Sequence, residues 1–524
     1  MRDFHLPGRS PVLATNGMCA TSHPLAAKVA VQILEAGGNA VDAAIAGAVL
    51  LGVCEPQMTG IGGDCFVLFN APGEDRVRAL NGSGRAPAGL DAGHLRKKGA
   101  VIAPESADAV TVPGAMDALC RLSADWGRLG LAASLAPAVH YAEAGVPIAS
   151  RVAADLAADS GKLQGVARKF FANGESALQE GQLFMAPGQA EVLRRVALDG
   201  RAAFYEGEVA EDMVASLQAA GGSHTLADFA AHESTYSDPI SGGYGGLELC
   251  EHPPNGQGAT AILLLNILSH FDLGDLEPFG AARAHLEAEA TKLAYDARQR
   301  FMADPDHMAR LDHMLSMETA KGLAALIGKH RVLPHAALGA ESVHKDTVYI
   351  TVVDGDGMTV SLIYSIFHGF GSGIASDKFG ILFQNRGAGF TLEEGHPNEA
   401  RPGKRPMHTI IPGILRQTGR VVMPFGVMGG HYQSTGHARF VTNLTDFGMC
   451  PQEAIDAPRS FAEQGHLKVE RGYTDAVRQE LADLGHEVIV PDGAIGGAQA
   501  ILRREDGLLE GGSDPRKDGC ALGY

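Results

Sequence analysis

Leu25, Val29, Ile33 and Leu34 recur at helical spacing after Ser22-His23-Pro24, and Gly37-Gly38 follows them. That pattern predicts a helix with a Ser-Pro start and a glycine stop. The next run, NAVDAAIAGAVLLGV, is apolar nearly all round and predicts a second, buried helix. EPQMTGIGGDCFVLF then turns through Gly60, Gly62 and Gly63 into a strand over 65–69. Residues 115–217 are rich in Ala and Leu with a helical pattern, which reads as a helical layer without chemistry of its own. SGGYGGLELCEHPPNGQGATAILLLNILSHF predicts a strand, a Pro/Gly turn and a buried helix. AHLEAEATKLAYDARQRFMADPD predicts an amphipathic helix ending near Asp304-Pro305.

Near residue 345 the pattern changes. Residues 348–353 and 358–366 are β-rich, and Asp354-Gly355-Asp356-Gly357 between them is a strong hairpin signal. Further strands are expected over 380–384, 409–415 and 420–425, helices over 436–446 and 475–484, and more strands and glycine turns to the C-terminus. No internal repeat or low-complexity linker divides the chain, so the expectation is helices enclosing stacked sheets.

Composition narrows the class. A chain of 524 residues, 45% hydrophobic and 20% charged, fits a soluble globular protein, built as one large α/β unit or as two intimately packed halves. A net charge of −18 argues against a nucleic-acid surface, which needs clustered Lys and Arg. The seven cysteines are odd in number and lack CxxC spacing, which disfavours both a disulfide framework and a zinc ribbon. MRDFHLPGRSPVLATNGMCA has no apolar signal core, and the apolar run over 40–51 is shorter than the ~20 residues that span a bilayer. A cytoplasmic protein without a membrane partner is expected.

Candidate chemistry emerges mostly by exclusion. There is no HExxH, and His431 and His437 in GHYQSTGHARF are six apart, a poor helical pairing, so no metal is expected. TGIGGD and FGSG lack dinucleotide or Walker spacing and read as tight turns or close backbone approach; no cofactor is expected. No GxSxG elbow is present. Thr347 remains, at the head of a β-run after the charged ESVHKD. On propensity it is an ordinary first strand residue. Were the Asp346–Thr347 bond cut, Thr347 would gain an α-amine with a pKa near ~8, suited to deprotonating its own hydroxyl.

The ordered motifs ATSHPLAAKVAVQILEAGGNAVDAAIAGAVLLGVCEPQMTGIGGD, TVPGAMDAL, LAPAVHYAEAGVPI, EATKLAYDARQRFMADPD, TVYITVVDGDGMTVSL, GFGSGI, GILFQN, PGKRPMHTIIP, VMGGHYQ, TNLTDFGMCPQEAIDAPR and SDPRKDGCALGY run nearly the whole length. In these the chain resembles the γ-glutamyltranspeptidase family of N-terminal-nucleophile hydrolases. The resemblance implies a four-layer αββα sandwich and self-cleavage between Asp346 and Thr347. It implies a large subunit of 1–346 and a small subunit of 347–524 forming one folded unit, with a dimer of such heterodimers compatible with it. It further implies Thr347 as nucleophile and base, Gly429 and Gly430 as oxyanion hole, and Ser365 as a supporting hydroxyl, with an ordinary strand serine as the alternative reading of that residue.

Substrate positions depart from the family pattern. Ser83 stands where the family's glutamate-binding arginine falls, with Arg85 two residues on. Gly389 replaces the acidic residue after GILFQN, with Arg386 nearby; Phe367 replaces an asparagine; His408 and Thr409 replace paired serines. The clamp for a zwitterionic glutamyl head is thus altered, while Arg85 and Arg386 suit a carboxylate. The expected partner is a small-molecule amide: a small carboxylate-bearing amide, as for the related oxamate amidohydrolases, or a γ-glutamyl compound such as glutathione. Acylase-type cleavage of larger amides is an alternative, as is a non-catalytic or unprocessed homologue acting as a binding protein. Hydrolysis is expected over transfer.

Overall fold

The computed structural model describes residues 5, 8–333 and 347–524, so Asp346 and the bond before Thr347 lie outside the described residues. Two seven-stranded antiparallel sheets form the centre. One runs in the order 520–523, 18–21, 348–353, 359–365, 64–70, 77–82 and 235–237. The other runs 12–14, 509–513, 497–503, 420–428, 413–417, 247–251 and 240–244. Residues on both sides of Thr347 contribute strands to both sheets.

Side-chain alternation explains the layering. Along Val348–Val353, Val348, Ile350 and Val352 pack with helices Pro24–Glu35 and Ala40–Cys54. Tyr349 points the other way, into a cluster with Phe66, Ile363, Ile410 and Met428 that fills the space between the sheets. On the second sheet, Leu415, Phe425 and Val427 meet helices Gly258–Leu268, Ala281–Phe301 and Gln433–Thr445. Strands with both faces covered read as continuous apolar runs, and both central strands of the first sheet are buried throughout. The expected αββα sandwich is therefore the observed fold.

Local signals account for most boundaries. Helix Ala40–Cys54 begins with an Asn39/Asp42 capping box and is buried at every position. Asp354 closes the 348–365 hairpin: its Oδ1 accepts the backbone N–H of Asp356 and Met358, and its Oδ2 accepts that of Ala40.

Four expectations shift. The first helix is capped by His23, not Ser22, because the Ser22 hydroxyl turns to Glu55. Residues 380–384 form no strand: Phe383 and Gln384 donate instead to Ile374 and Gly62, in a loop pressed against the TGIGGD turn. The strand expected over 409–415 spans Gly413–Gln417, because residues upstream bond side chains, Ile411 N–H donating to Gln433 Oε1. Helix Ala281–Phe301 is less amphipathic than expected, since it buries Arg283, His285, Glu287, Glu289 and Arg298. No described helix is long and apolar enough to cross a membrane.

Ile350 joins sheet and helix layers so closely that a Cβ on Gly47 would sit 2.3 Å from its Cδ1. Ile350→Ala is expected to lower stability by about 2–5 kcal/mol, read as a lower denaturant midpoint.

Candidate active site

Three strand ends converge at one end of the space between the sheets. Val348 pairs with Tyr364 and Ser365 with Asp64, which brings Thr347 beside Ser365 at the same sheet end. Thr347 shares the side-chain parity of Tyr349, Ser365 that of Ile363, and Asp64 that of Phe66. All three therefore face the inter-sheet space. From the opposing sheet, Met428 joins that cluster, and Gly429-Gly430 follow it.

The side chains form one hydrogen-bonded chain. The buried Thr347 hydroxyl donates to Ser365 Oγ at 3.4 Å. Ser365 Oγ also accepts the Phe367 N–H at 2.8 Å and Arg386 Nη2 at 3.3 Å. Arg386 Nη1 donates to Thr409 Oγ1 at 3.0 Å. The Thr409 carbonyl accepts Gln257 Nε2 at 2.6 Å, and the same amide donates to the Gly430 carbonyl at 3.0 Å. Arg298 Nη1 in turn donates to Gln257 Oε1 at 2.7 Å. Thr347, Ser365, Arg386, Thr409 and Gly430 thus belong to one network.

Asp64 is its anionic centre. Its Oδ1 accepts the N–H groups of Gly84 and Gly114, and its Oδ2 lies 3.2 Å from His408 Nε2 and 3.9 Å from Arg386 Nε. Burial raises the Asp64 carboxyl to about 6, opposed first by Arg386 and then by the two N–H donors. Burial lowers the fully enclosed Arg386 guanidinium to about 9, opposed by Asp64. At neutral pH these values leave the pair ionised. Burial, then Arg386 and His252, push His408 well below the ordinary imidazole range, so its ring is neutral. The guanidinium carbon of Arg386 sits 4.1 Å from the centre of the Phe367 ring, and Phe367 has a φ of 80°.

Gly429 and Gly430 have φ of 121° and 57°, consecutive left-handed residues that glycine tolerates. They lead through the turn Gly430–Tyr432 into the N-terminus of helix Gln433–Thr445. Gly62 and Gly63 serve close approach, as expected, since Cβ atoms there would lie 2.2 and 2.6 Å from the carbonyls of Leu382 and Ser365.

Ser83 is part of the frame. Its hydroxyl accepts from Asn255 Nδ2 at 3.1 Å and its carbonyl from Arg405 Nε at 2.9 Å. Arg85 stands apart from the Arg386 network: it is 37% exposed, donates to the Gly403 carbonyl and lies 3.6 Å from Asp304. His431 and His437, unsuited to one another by spacing, have different partners: Arg298 meets the first and Glu251 the second.

Sequence reading missed Asp64, Asn255, Gln257, Arg298 and Arg405. The available signal for Asp64 was a charged residue opening an otherwise apolar strand; for Arg298 it was a basic residue on a helix whose neighbours are largely apolar. Asn255 and Gln257 stood in a segment read only as a Pro/Gly turn, and Arg405 within a motif whose individual residues were not singled out.

A family model described as Gamma-glutamyltranspeptidase matches residues 26–524. The chain is 36% identical to the glutathione hydrolase-like YwrD proenzyme of Bacillus subtilis, covering 98% of this chain and 99% of that one. It is also 36% identical to the oxamate amidohydrolase proenzyme of Klebsiella pneumoniae, with the same coverage of each. The crystal structure of a cephalosporin acylase from Bacillus halodurans matches at a TM-score of 0.93 and 38% identity, covering 100% of this chain and 99% of that one. With its fold, the order of its motifs and these full-length similarities, the chain belongs to the gamma-glutamyltranspeptidase family.

Proposed function

We propose that this protein is a self-processing amidohydrolase in which Thr347 is the nucleophile for both its own cleavage and turnover. The observation that carries the reading is the buried Thr347 hydroxyl bonded to Ser365, which Arg386 joins to Thr409. In processing, Thr347 Oγ1 attacks the Asp346 carbonyl carbon, the C–N bond breaks, and the nitrogen becomes the Thr347 amine. Water then hydrolyses the ester and releases the Asp346 carboxylate. The cleavage yields chains 1–346 and 347–524.

In turnover the new amine takes the hydroxyl proton as Thr347 Oγ1 attacks the substrate amide, and that proton passes to the leaving amine. The N–H groups of Gly429 and Gly430 are assigned to the developing oxyanion. Their position ahead of a helix N-terminus supports this, because the helix dipole favours negative charge there. Water resolves the acyl-enzyme in preference to an acceptor amine.

The substrate is a small amide bearing a carboxylate, which competes with Asp64 for the enclosed Arg386 guanidinium. A guanidinium has five N–H donors, of which two are engaged with Thr409 and Ser365. Arg85 at the rim supplies a second cation on the approach, and His408, Thr409 and Ser83 frame the site. Similarity to the oxamate amidohydrolase supports this substrate class. A second reading, cleavage of larger acyl amides, is favoured by the match to the cephalosporin acylase over the full chain.

Freshly purified protein is expected to migrate as two fragments on a denaturing gel, and Thr347→Ala to remain one chain without amidase activity. A single wild-type chain lacking turnover would instead support a binding protein. In parallel assays, oxamate is expected to be hydrolysed faster than γ-glutamyl-p-nitroanilide, glutathione or a cephalosporin side-chain amide; preference for a γ-glutamyl donor overturns the carboxylate-amide assignment. As pH falls through about 6, Asp64 takes up a proton and Arg386 loses its counter-charge, so kcat/KM is expected to fall on that limb. Asp64→Asn is expected to remove the limb and to lower kcat/KM at neutral pH.

A further inference from the structure

Away from this network, His285 and Glu289 project from one face of helix Ala281–Phe301, four residues apart, toward His486, which follows helix Asp475–Asp483. One donor atom from each lies within 4.8 Å of the other two, and all three side chains are buried. We infer that His285, Glu289 and His486 form a binding site for a divalent transition-metal ion, with zinc the ion their donors suit.

The hydrogen bonds prepare the ligands. His285 Nε2 lies 2.7 Å from the Gly328 carbonyl, an acceptor, so the neutral ring carries its proton there and its lone pair on Nδ1. A metal-bound imidazole is normally oriented this way, by a carbonyl on its other nitrogen. His285 Nδ1 meets His486 Nε2 at 2.8 Å, and a metal entering between them takes a lone pair from each ring once the His486 proton resides on Nδ1. The carboxylate of Glu289 accepts Lys292 Nζ at 2.6 Å on one oxygen and the Leu333 N–H at 2.7 Å on the other. Each oxygen keeps a further lone pair. Two imidazoles and one carboxylate are a zinc donor set, leaving a fourth position for water.

A cavity of about 570 Å³ lies beside the site, lined by Leu286 and Lys329, which adjoin His285 and Gly328 in sequence, and by Leu484, two residues before His486. Asp272, Asp275, Glu480 and Asp483 also line it, and their negative charge draws cations toward the site. The donors come from both sides of Thr347, and Leu333 N–H ties the chain shortly before the proposed cleavage point to the same carboxylate. A bound ion therefore clamps the C-terminal helix to helix Ala281–Phe301.

The test uses untagged full-length protein, stripped with a chelator, dialysed against zinc and gel-filtered before metal analysis. One zinc per 524-residue protomer is expected, cleaved or not, with a melting temperature that rises as zinc is added. Cobalt in its place is expected to give the visible absorption of a tetrahedral ion. His486→Gln and Glu289→Gln are each expected to weaken zinc by more than about 10-fold, with unchanged far-UV circular dichroism. Failure of the wild type to retain zinc overturns the site, as does equal retention by both variants. Since Thr347→Ala is expected to bind zinc as the wild type does, a failed processing hypothesis leaves this result distinguishable.

Discussion

The Asp64–Arg386 pair is the constraint around which one end of the molecule is organised. Both side chains are fully enclosed, and moving a lone charge into such surroundings costs several kcal/mol even after relaxation. The cost is offset only if every neighbouring segment supplies a partner. Gly84 and Gly114 turn their N–H groups to the carboxylate, while Ser365 and Thr409 turn hydroxyls to the guanidinium. Four separate stretches of chain are thereby fixed at the mouth of the inter-sheet space. The proposed nucleophile inherits its position from this arrangement, because its hydroxyl bonds the same Ser365 oxygen.

The outer helices extend that control to the second sheet. Gln257, at the start of helix Gly258–Leu268, holds the carbonyls of Thr409 and Gly430 with one amide, and Arg298 from the neighbouring helix holds that amide in turn. A polar layer between helix and sheet is expensive unless satisfied, so these side chains specify one relative placement of the layers. The glycine pair is consequently braced from behind while left-handed backbone shapes it from within.

The chain resembles proteins named as glutathione hydrolase-like, oxamate amidohydrolase and cephalosporin acylase to closely similar degrees. Fold alone does not choose among such amides. Here Arg386 stands buried in the network with its charge balanced by Asp64, while Arg85 lies outside it, part-exposed beside Asp304. Under the proposed carboxylate-amide reading, a substrate has to compete with that carboxylate for Arg386.

Much of the architecture was legible along the chain. The all-round apolar helix at 40–54 and the Asp-Gly hairpin after Val353 could be read locally, because helix period and turn chemistry are properties of adjacent residues, whereas Thr347 stood out only through the motifs around it. Strand limits at 380–384 and 409–412 could not, because side chains and loops from distant segments took the backbone partners a sheet would have used. Asp64 shows the same limit most clearly: in sequence it is the last letter of a glycine turn, and only strand register sets it opposite Ser365. His285 and Glu289 are four apart on one helix, but nothing along the chain brings His486 to them. The sequence by itself determined most of the helices and hairpins and, through the order of its motifs, the family; tertiary structure decided which charges are buried together, since burial and pairing depend on residues brought from hundreds of positions away.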